Sequence, residues 1–569
     1  MPFVPILLPL TLLALARAAW ELHAPQFSVL LLLVGAGLLL ACSRLLPVPG
    51  HRGRGLFLRG RRPLAELPTR LPRRAGQEGE GSTVQWGGEK LPAHSATTHF
   101  LVAGTTGAGK TVLLGLLMQS VLPFIGKRRS DGTLFDRRAL VYDAKGDVLS
   151  TLRGTADCRV VTLHPFEERG VAWDLARDIT TPAAALQAAA LLVPQEPRGT
   201  GNPFFTLAAQ NLLRGVLLTF LQTVEDGWTF RDVVLALRFE ERLRQVLGKT
   251  QEGRAILDQF FQVGETLQGV RATLATKMAP FEVVAAAWDA ASERVSLREF
   301  LDGEFILVLG NDEANRTALD AINRVLFQRL TELILASSES RTRQTWLFLD
   351  EVREAGRLDG LSRLMTKGRS KGACVALGFQ AVEGMREVYG QNLAEEITGL
   401  CNHKAILRLD SPVSAQWASD LFGKTEEVDR RESRSRSRTG RGLLPVLARG
   451  RTLTEQRLTT DAVLASEVMT QPAAGPETGL TGLFLTRGRG AYRQHLTWTQ
   501  VKALQPARAA GVEDFLPRSE NAQYLREWTQ ADLDRLGLKR LSLIDEQEAS
   551  ELAQSPGTAP PRRLRSVRR

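Results

Sequence analysis

Short apolar runs recur along the chain and alternate with stretches in which apolar residues follow helical spacing. Residues 100–103, 139–142, 160–163 and 304–309 are four such runs, and residues 318–335 carry the period of an amphipathic helix. Short apolar runs of this length are typical of buried strands. Strands that alternate with helices predict an α/β fold with a parallel, doubly wound sheet.

The pattern changes between residues 181 and 298, where strand signals fade and apolar residues recur at helical spacing. One such face is formed by Phe205, Ala208, Ala209, Leu212, Leu213 and Val216. We therefore predict an all-α insertion over residues 181–298. It separates the first part of the sheet domain, residues 84–180, from its second part, residues 299–505.

Two apolar runs, residues 4–20 and 27–46, open the chain. Each is close to the length that spans a bilayer, about 20 residues. Arg17 and Arg44 lie near the ends of the runs, where an arginine can reach the interface. The runs predict a transmembrane helix hairpin. Two alternatives remain open: a buried hairpin of a soluble protein, and a cleaved signal peptide, although no charged segment precedes the first run.

The segment after the predicted hairpin is strongly basic. Glu66 is the only acidic residue among its arginines, which are Arg52, Arg54, Arg59, Arg61, Arg62, Arg70, Arg73 and Arg74. By the positive-inside rule this segment is cytoplasmic, which predicts a two-pass topology with both termini inside. We divide the region into a hairpin, residues 1–48, and a basic juxtamembrane linker, residues 49–83.

The composition narrows the class of partner. The chain of 569 residues has a formal net charge of +11 and a sequence pI near 9.8. Clustered positive charge favours nucleic acid or anionic lipid. Two basic segments lie late in the chain: residues 430–441, predicted as a low-complexity loop, and a C-terminal tail, residues 506–569, predicted as partly disordered. Four scattered cysteines argue against a zinc site and a disulfide framework.

A glycine-rich motif follows the apolar run at 100–103 and precedes a second apolar, helical stretch. Its glycines allow backbone N–H groups to surround a phosphate, its lysine can contact the β- and γ-phosphates, and its threonine hydroxyl can bind Mg²⁺. This strand–loop–helix context predicts a nucleoside triphosphate site. The predicted nucleotide-binding residues are Gly104, Thr105, Thr106, Gly107, Ala108, Gly109, Lys110 and Thr111.

Further candidate residues lie at the ends of two later strands. Residues 345–349 form an apolar strand that closes on Asp350, a candidate Mg²⁺ ligand, and Glu351, a candidate base for the attacking water. Gln380 ends the apolar segment 374–379 and could position that water. Ligands bind at the carboxyl ends of parallel strands, so we expect these residues to converge on the glycine-rich loop.

Each of these residues also has an ordinary structural interpretation. Asp350 and Glu351 could simply cap a helix after the strand, and Gln380 could be an isolated polar residue at a strand end. Arg369 precedes the 374–379 strand. It is either a solvated surface arginine or an arginine finger that reaches a neighbouring subunit's nucleotide.

Several motifs together resemble the type IV secretion coupling proteins, the VirD4/TraD/TrwB family. The resemblance extends over about residues 1–500. It rests on the order and spacing of residues 86–88, 99–111, 143–147, 349–351, 368–380, 389–390 and 405–409.

This resemblance implies a RecA-like, hexameric ATPase anchored in the inner membrane, with its ATPase domain in the cytoplasm. It implies ATP and Mg²⁺ as cofactors and single-stranded DNA, a relaxase and type IV secretion channel proteins as partners. Carried over by position, Lys110 and Thr111 bind nucleotide and Mg²⁺, Asp350 and Glu351 are the Walker B pair, Gln380 is the sensor, and Arg369 is the candidate finger.

Three other functions remain open at this point. An FtsK/HerA-like translocase would act on duplex DNA, but no separate C-terminal winged-helix segment is evident. A protein-substrate secretion ATPase is harder to exclude, because coupling proteins also pass proteins. A nucleotide-binding scaffold without hydrolysis is disfavoured by the presence of Lys110, Asp350 and Glu351 together.

Overall fold

The computed structural model describes most of the chain: residues 56–60, 65–66, 83–87, 89–195, 203–261, 264–439, 446–505 and 508–540. The predicted membrane hairpin of residues 1–48 lies outside these ranges. The chain forms two units, one made of Met1–Arg62 with Lys424–Thr460, the other of Pro63–Gly423 with Asp461–Arg569.

The described strands are numbered in chain order. They are β1 Leu56–Gly60, β2 Ala65–Glu66, β3 Thr83–Trp86, β4 Glu89–Pro92, β5 Phe100–Ala103, β6 Arg137–Asp143, β7 Val160–Thr162, β8 Ala172–Trp173, β9 Arg294–Val295, β10 Ile306–Gly310, β11 Gln344–Leu349, β12 Ala373–Phe379, β13 His403–Ile406, β14 Lys424–Thr439, β15 Val446–Asp461, β16 Leu480–Thr486 and β17 Gly490–Leu496.

The described α-helices are numbered in the same way. They are α1 Lys110–Gln119, α2 Leu149–Thr155, α3 Leu175–Asp178, α4 Pro182–Leu192, α5 Pro203–Thr223, α6 Phe230–Arg238, α7 Glu240–Leu247, α8 Gln251–Phe261, α9 Gly264–Asp289, α10 Leu297–Asp302, α11 Arg316–Ala336, α12 Leu361–Lys367, α13 Val382–Tyr389, α14 Gln391–Leu400, α15 Pro412–Phe422, α16 Ala465–Met469, α17 Trp498–Leu504 and α18 Gln530–Leu536.

A ten-stranded sheet organises the second unit, in the order β2-β17-β16-β13-β5-β12-β11-β6-β10-β7. The seven strands from β13 to β7 are mutually parallel, while β16 pairs antiparallel with β13 and with β17. The predicted α/β fold is therefore confirmed, and the sheet that was predicted to be parallel is mostly so, with antiparallel pairs at β16. Strand β5, which leads into the glycine-rich loop, lies at the centre between β13 and β12.

Alternate residues of the central strands bury against opposite faces of this sheet. Phe100, Val102, Trp346 and Phe348 join the cluster that contains the inner face of α1. Leu101, Ala103, Leu347 and Leu349 instead join the larger cluster that includes the helices between β8 and β9. A parallel sheet covered on both faces explains why these strands are continuously apolar rather than alternating.

Helices α4 to α9 occupy residues 182–289, within the segment predicted to be all-α. The two-residue strands β8 and β9 pair in parallel on either side of these helices, with Ala172 opposite Arg294 and Trp173 opposite Val295. The helical segment thus leaves the sheet domain and returns to it at one place. That arrangement is expected of an insertion.

One helix among the described residues, α5, is long and apolar enough to cross a membrane. Its most apolar window has a mean hydropathy of 1.4, and 61% of that window is buried inside the fold. Leu212, Leu213 and Val216 on this helix are fully buried in the larger core cluster. These contacts are those of a buried core helix.

The first unit contains a three-stranded sheet in the order β1-β14-β15. The sequence predicts an irregular loop over residues 430–441, but β14 extends to Thr439, so the prediction is wrong for that part. Arginine and serine alternate along residues 434–438, a period of two that a paired strand accommodates without apolar residues. The strand is therefore formed by backbone pairing within this sheet.

Residues 508–540 belong to the predicted C-terminal tail, and they pack against the rest of the second unit. The Ser150 N–H donates to Asp514 at 2.6 Å, and the indole N–H of Trp528 donates to the buried carboxylate of Asp232 at 2.7 Å. The Arg518 guanidinium donates to the carbonyl oxygens of Pro165, Glu167 and Gly170. This segment therefore joins the loops after β7 to helix α6.

Candidate active site

The glycine-rich loop connects the central strand β5 to helix α1. Gly107 and Gly109 adopt positive φ angles of 77° and 99°, in the left-handed region that favours glycine. A Cβ atom at Gly109 would lie 2.4 Å from Leu480 and 2.9 Å from Ala474, so a side chain does not fit there. Helix α1 begins at Lys110, and its first backbone N–H groups face this loop without intrahelical partners. The loop is therefore built to hold an anion.

Lys110 is buried and joins the loop to the end of strand β11. Its Nζ donates to the Asp350 carbonyl at 2.6 Å and to Glu351 Oε2 at 2.8 Å. Both side chains of the Lys110–Glu351 ion pair are only 9% exposed. A lysine in this position neutralises the buried glutamate.

Thr111 and Asp350 form the second contact across the site. The Thr111 hydroxyl donates to Asp350 Oδ2 at 2.6 Å. Asp350 Oδ1 is buried without a hydrogen-bond partner and lies 3.4 Å from Lys110 Nζ. A hydroxyl beside a carboxylate oxygen with free acceptor capacity is a donor set that suits Mg²⁺, which takes few protein ligands and completes its shell with phosphate and water oxygens.

A larger metal cage is not present in the described part of the chain. Within those residues, no group of three or more His, Cys, Asp or Glu side chains could hold a metal ion. Mg²⁺ at Thr111 and Asp350 would therefore arrive with a phosphate ligand rather than occupy an all-protein site.

Gln380 follows strand β12 and connects the loop to Glu351. Its amide Nε2 donates to Glu351 Oε2 at 3.0 Å, and its Oε1 accepts from the Thr106 hydroxyl at 3.1 Å. One side chain thus contacts both the candidate base and the phosphate loop. An amide in this place can respond to a phosphate in the loop and orient a water molecule toward Glu351.

A polar cluster on the other side of the loop was missed by sequence reasoning. The Thr105 hydroxyl donates to Asp410 Oδ2 at 2.9 Å, and the Arg408 Nε donates to Asp410 Oδ1 at 3.0 Å. The Thr105 hydroxyl, followed by Arg408, lowers the pKa of Asp410. These residues follow β13, which runs parallel to β5. Recognition of β13 as a neighbour of β5 could have identified them, since parallel strands end at one edge.

Arg369 does not join this group. It lies in the 3-10 turn Gly368–Lys371, before the start of β12, whereas Gln380 follows the end of the same strand. Seven residues of strand extend about 23 Å at ~3.3 Å per residue. Arg369 is therefore at the opposite edge of the sheet from its own chain's phosphate loop.

The structure thus brings together Lys110, Thr111, Asp350, Glu351 and Gln380 at one sheet edge. The fold and this constellation together define a RecA-like domain of the P-loop NTPase class. Comparisons with known proteins specify the family.

A sequence model of the type IV secretion-system coupling protein DNA-binding domain matches residues 83–476, more than half of the chain. The chain belongs to this family. The coupling protein TraD of Escherichia coli (strain K12) is 22% identical over 389 residues, which cover 66% of this chain and 51% of TraD. The chain therefore spans about half the length of that curated relative.

Solved structures of the conjugative coupling protein TrwB share the fold. Unbound TrwB lacking its N-terminal segment is 20% identical, with a TM-score of 0.60, and the match covers 83% of this chain and all of that one. TrwB in complex with ADP and Mg²⁺ is 19% identical, with a TM-score of 0.59, over 81% of this chain and 98% of that one. At these identities the likeness establishes the fold.

Proposed function

We propose that this chain is an ATP-hydrolysing motor that couples DNA to a type IV secretion channel and drives its translocation in conjugation. The observation that carries the proposal is the convergence of a buried lysine, a buried glutamate and an amide on one loop. Lys110 and Gln380 both contact Glu351 Oε2, at 2.8 Å and 3.0 Å. Membership of the coupling-protein family supports the choice of DNA and of the secretion channel as partners.

Each residue has a defined chemical task in this proposal. The backbone N–H groups of residues 104–111 and the Lys110 ammonium bind the phosphates of ATP. Thr111 and Asp350 hold Mg²⁺, which supplies positive charge that stabilises the transferring phosphoryl group. Glu351 accepts the proton of the attacking water, and Gln380 orients that water.

ATP binding must rearrange the contacts seen in this structure. Lys110 is held by Glu351 and by the Asp350 carbonyl, so its ammonium turns away from them when phosphates occupy the loop. That movement releases Glu351 from its counter-charge and leaves it free to accept a proton. Before a triphosphate is present, the ion pair with Lys110 keeps Glu351 from acting as a base.

The proposal includes a homo-hexamer in which Arg369 acts in trans. Its position at the sheet edge away from its own loop supports this role. Mixed assemblies test it, because Lys110→Ala inactivates a protomer's own site and Arg369→Ala inactivates its neighbour's. Mixing the two inactive variants should restore part of the ATP hydrolysis if Arg369 acts in trans, and none if it acts in cis.

The proposal also retains the predicted organisation of the chain. Residues 1–48 anchor it in the inner membrane by two spans and residues 49–83 form the linker. Residues 84–180 and 299–505 form the cytoplasmic nucleotide-binding domain, residues 181–298 form the insertion, and a relaxase with its single-stranded DNA is the cargo. The parallel pairing of β8 with β9 at the base of the helices supports this division.

A complementation experiment tests the proposed function. Cells that carry the chain's own conjugative element, with the chromosomal or plasmid copy deleted, receive wild type, Lys110→Ala or Lys127→Ala. Lys127 is a surface lysine paired with Asp157, which makes it a matched control. We expect DNA transfer to fall for Lys110→Ala alone, by at least about a hundredfold, which is the effect of losing one strong transition-state contact. Each protein should be present in equal amounts in the membrane fraction. Normal transfer by Lys110→Ala would contradict the proposal.

A further inference from the structure

Glu351 lies in a tight turn that follows strand β11. The Glu354 N–H donates to the Glu351 carbonyl at 3.0 Å, which closes this turn. Val352 is fully buried, and its N–H donates to the Gly378 carbonyl of strand β12 at 3.0 Å. The start of the turn is therefore held by the sheet. The position of Glu351 also depends on how the other end, at Glu354, is held.

Tyr142, on strand β6, holds that end of the turn by its backbone. Its hydroxyl donates to the Glu354 carbonyl at 3.0 Å. Tyr142 is only 3% exposed, and burial raises the pKa of its phenol, so the hydroxyl keeps the proton that it donates. Strand β6 pairs with β11 in parallel. The contact therefore ties the turn after β11 to the end of the neighbouring strand.

Arg316, the first residue of helix α11, holds the same end of the turn by its side chain. Its Nη2 donates to Glu354 Oε2 at 2.6 Å. The same guanidinium lies 3.2 Å from Glu313 Oε1 and 3.6 Å from Asp320 Oδ2. The hydrogen bond to Glu354 raises the pKa of Arg316. One cation thus serves three carboxylates, and its shortest contact is the one to the turn.

Loss of Arg316 would leave the three carboxylates close together without the cation that they share. Glu313 lies in the short 3-10 turn before α11, and Asp320 lies on α11 itself. Glu354 instead belongs to the turn after β11. Because like charges repel, the carboxylate of Glu354 would move away from the helix. The turn that carries Glu351 would move with it.

The contact between Arg316 and Glu354 is partly open to solvent. The two side chains are 40% and 33% exposed. Ion pairs with this exposure contribute little to the free energy of unfolding, because water screens them and both side chains lose freedom. We therefore expect the pair to determine where the turn lies more than whether the chain folds.

We infer that Arg316 is a positioning residue for ATP hydrolysis: through Glu354 it holds the turn that places Glu351 beside the attacking water. The inference rests on the proposed function, in which Glu351 is the base and Lys110 leaves it when ATP binds. Glu351 then keeps its contact with Gln380, and the turn becomes its main support. A misplacement of about 1 Å can slow a reaction ~10²-fold, so a small movement of the turn is sufficient.

The test uses the full-length chain and measures kcat and KM for ATP by phosphate release. Arg316→Ala and Glu354→Ala each remove one side of the contact, and Arg316→Lys keeps the positive charge. Glu354→Ala leaves α11 untouched, so it tests the contact even if Arg316→Ala does not fold. Arg159→Ala is the matched control, because Arg159 is 47% exposed and also pairs with two glutamates, at 3.0 Å and 3.3 Å. Arg159 precedes β7, at the sheet edge away from Glu351.

We expect kcat to fall at least about tenfold in Arg316→Ala and in Glu354→Ala, with KM for ATP within about twofold of wild type, because the contact places the base and not the nucleotide. The double variant should be no slower than the slower single variant, since both changes break the same contact. Arg316→Lys should retain most of the rate, and Arg159→Ala should leave it unchanged.

Combination with Glu351→Gln separates positioning from a general structural role. Without the base, the turn has no catalytic group to place, so Arg316→Ala should lower the remaining rate by less than about twofold. A further fall of about tenfold in that background would overturn the inference. A kcat within about twofold of wild type for both Arg316→Ala and Glu354→Ala would also overturn it. If Glu351→Gln alone leaves kcat unchanged, the proposed function fails instead.

Discussion

Replacement of Glu351 by Gln separates hydrolysis from nucleotide binding. The change keeps the shape of the side chain and the contact with Gln380, but it removes the group that accepts the proton. General-base catalysis contributes roughly 10²–10⁴-fold to rates, so kcat for ATP should fall by that factor. This corresponds to a rise of about 3–5 kcal/mol in the activation free energy.

The same change should leave ATP binding unchanged or make it tighter. In this structure Glu351 holds Lys110 at 2.8 Å, with both side chains 9% exposed. The Coulomb attraction over that distance is about 6 kcal/mol at an effective dielectric constant of ~20, and desolvation offsets much of it. ATP binding must overcome the net Lys110–Glu351 attraction that remains before Lys110 can contact the phosphates. The neutral amide of the Glu351→Gln variant forms no ion pair with Lys110, so the side chain at position 351 no longer competes with the phosphates for Lys110.

The assay measures kcat by phosphate release and the dissociation constant by a fluorescent ATP analogue. Glu387→Gln is the matched control, because that glutamate is 69% exposed and pairs with Arg353 at the surface. A Glu351→Gln variant that hydrolyses ATP within about threefold of wild type would refute the role of general base, which demands at least ~10²-fold. Binding about tenfold weaker than wild type, ~1.4 kcal/mol, would refute the competition between Glu351 and the phosphates.

Three further predictions concern the metal, the C-terminal segment and pH. Thr111→Val removes the proposed Mg²⁺ ligand and should raise the Mg²⁺ concentration for half-maximal hydrolysis about tenfold, ~1.4 kcal/mol. Trp528 is 7% exposed and bonded to Asp232; Trp528→Ala should lower the free energy of unfolding by about 3–5 kcal/mol and speed hydrogen exchange in α6. Burial lowers the pKa of His99 and of His403 from 6.5 to about 4. Both are neutral in the folded chain and protonate more readily when it unfolds, so stability should be retained above pH 6.5 and should fall as pH drops from 6.5 toward 4.

Each of these predictions has a control and a contradicting result. Thr155→Val removes a hydroxyl from α2 and should not change the Mg²⁺ requirement. Trp528→Phe keeps most of the buried ring and should cost less than Trp528→Ala; equal hydrogen exchange in α6 for all three proteins would show that the segment does not stabilise that helix. His403→Gln should flatten the pH dependence of the melting temperature, and His495→Gln, at an exposed position, should not. A melting temperature that does not change between pH 7 and pH 4.5 would contradict the pH argument.

The sequence was sufficient to predict the parts of the site that follow a local rule. Residues 104–111 combine a strand, a glycine loop and a helix within one short segment, so their geometry follows from neighbouring residues. The carboxyl-end rule for parallel strands then predicts that Asp350, Glu351 and Gln380 meet the loop. Contacts such as Gln380 to both Thr106 and Glu351 follow once β12 lies beside β5.

Other features depend on contacts between residues that are distant in sequence. Thr105 and Asp410 are 305 residues apart, and nothing local shows that β13 lies next to β5. Residues 508–540 carry little apolar periodicity, and side chain-to-carbonyl bonds such as those of Arg518 fix their path. Strand β14 is defined by backbone pairing in a segment almost without apolar residues. In all three cases tertiary contacts determine the local structure, and the spacing of residues along the sequence does not reveal those contacts.

The central claim is that ATP hydrolysis at the Lys110–Glu351 site is coupled to DNA. The most direct measurement is the ATP hydrolysis rate of the full-length chain in membranes, without DNA, with single-stranded DNA and with blunt duplex of the same length. We predict that single strands stimulate wild type most and that Glu351→Gln shows no stimulated rate. Hydrolysis that DNA does not change would contradict the coupling, and equal or greater stimulation by blunt duplex would identify a double-stranded DNA translocase instead.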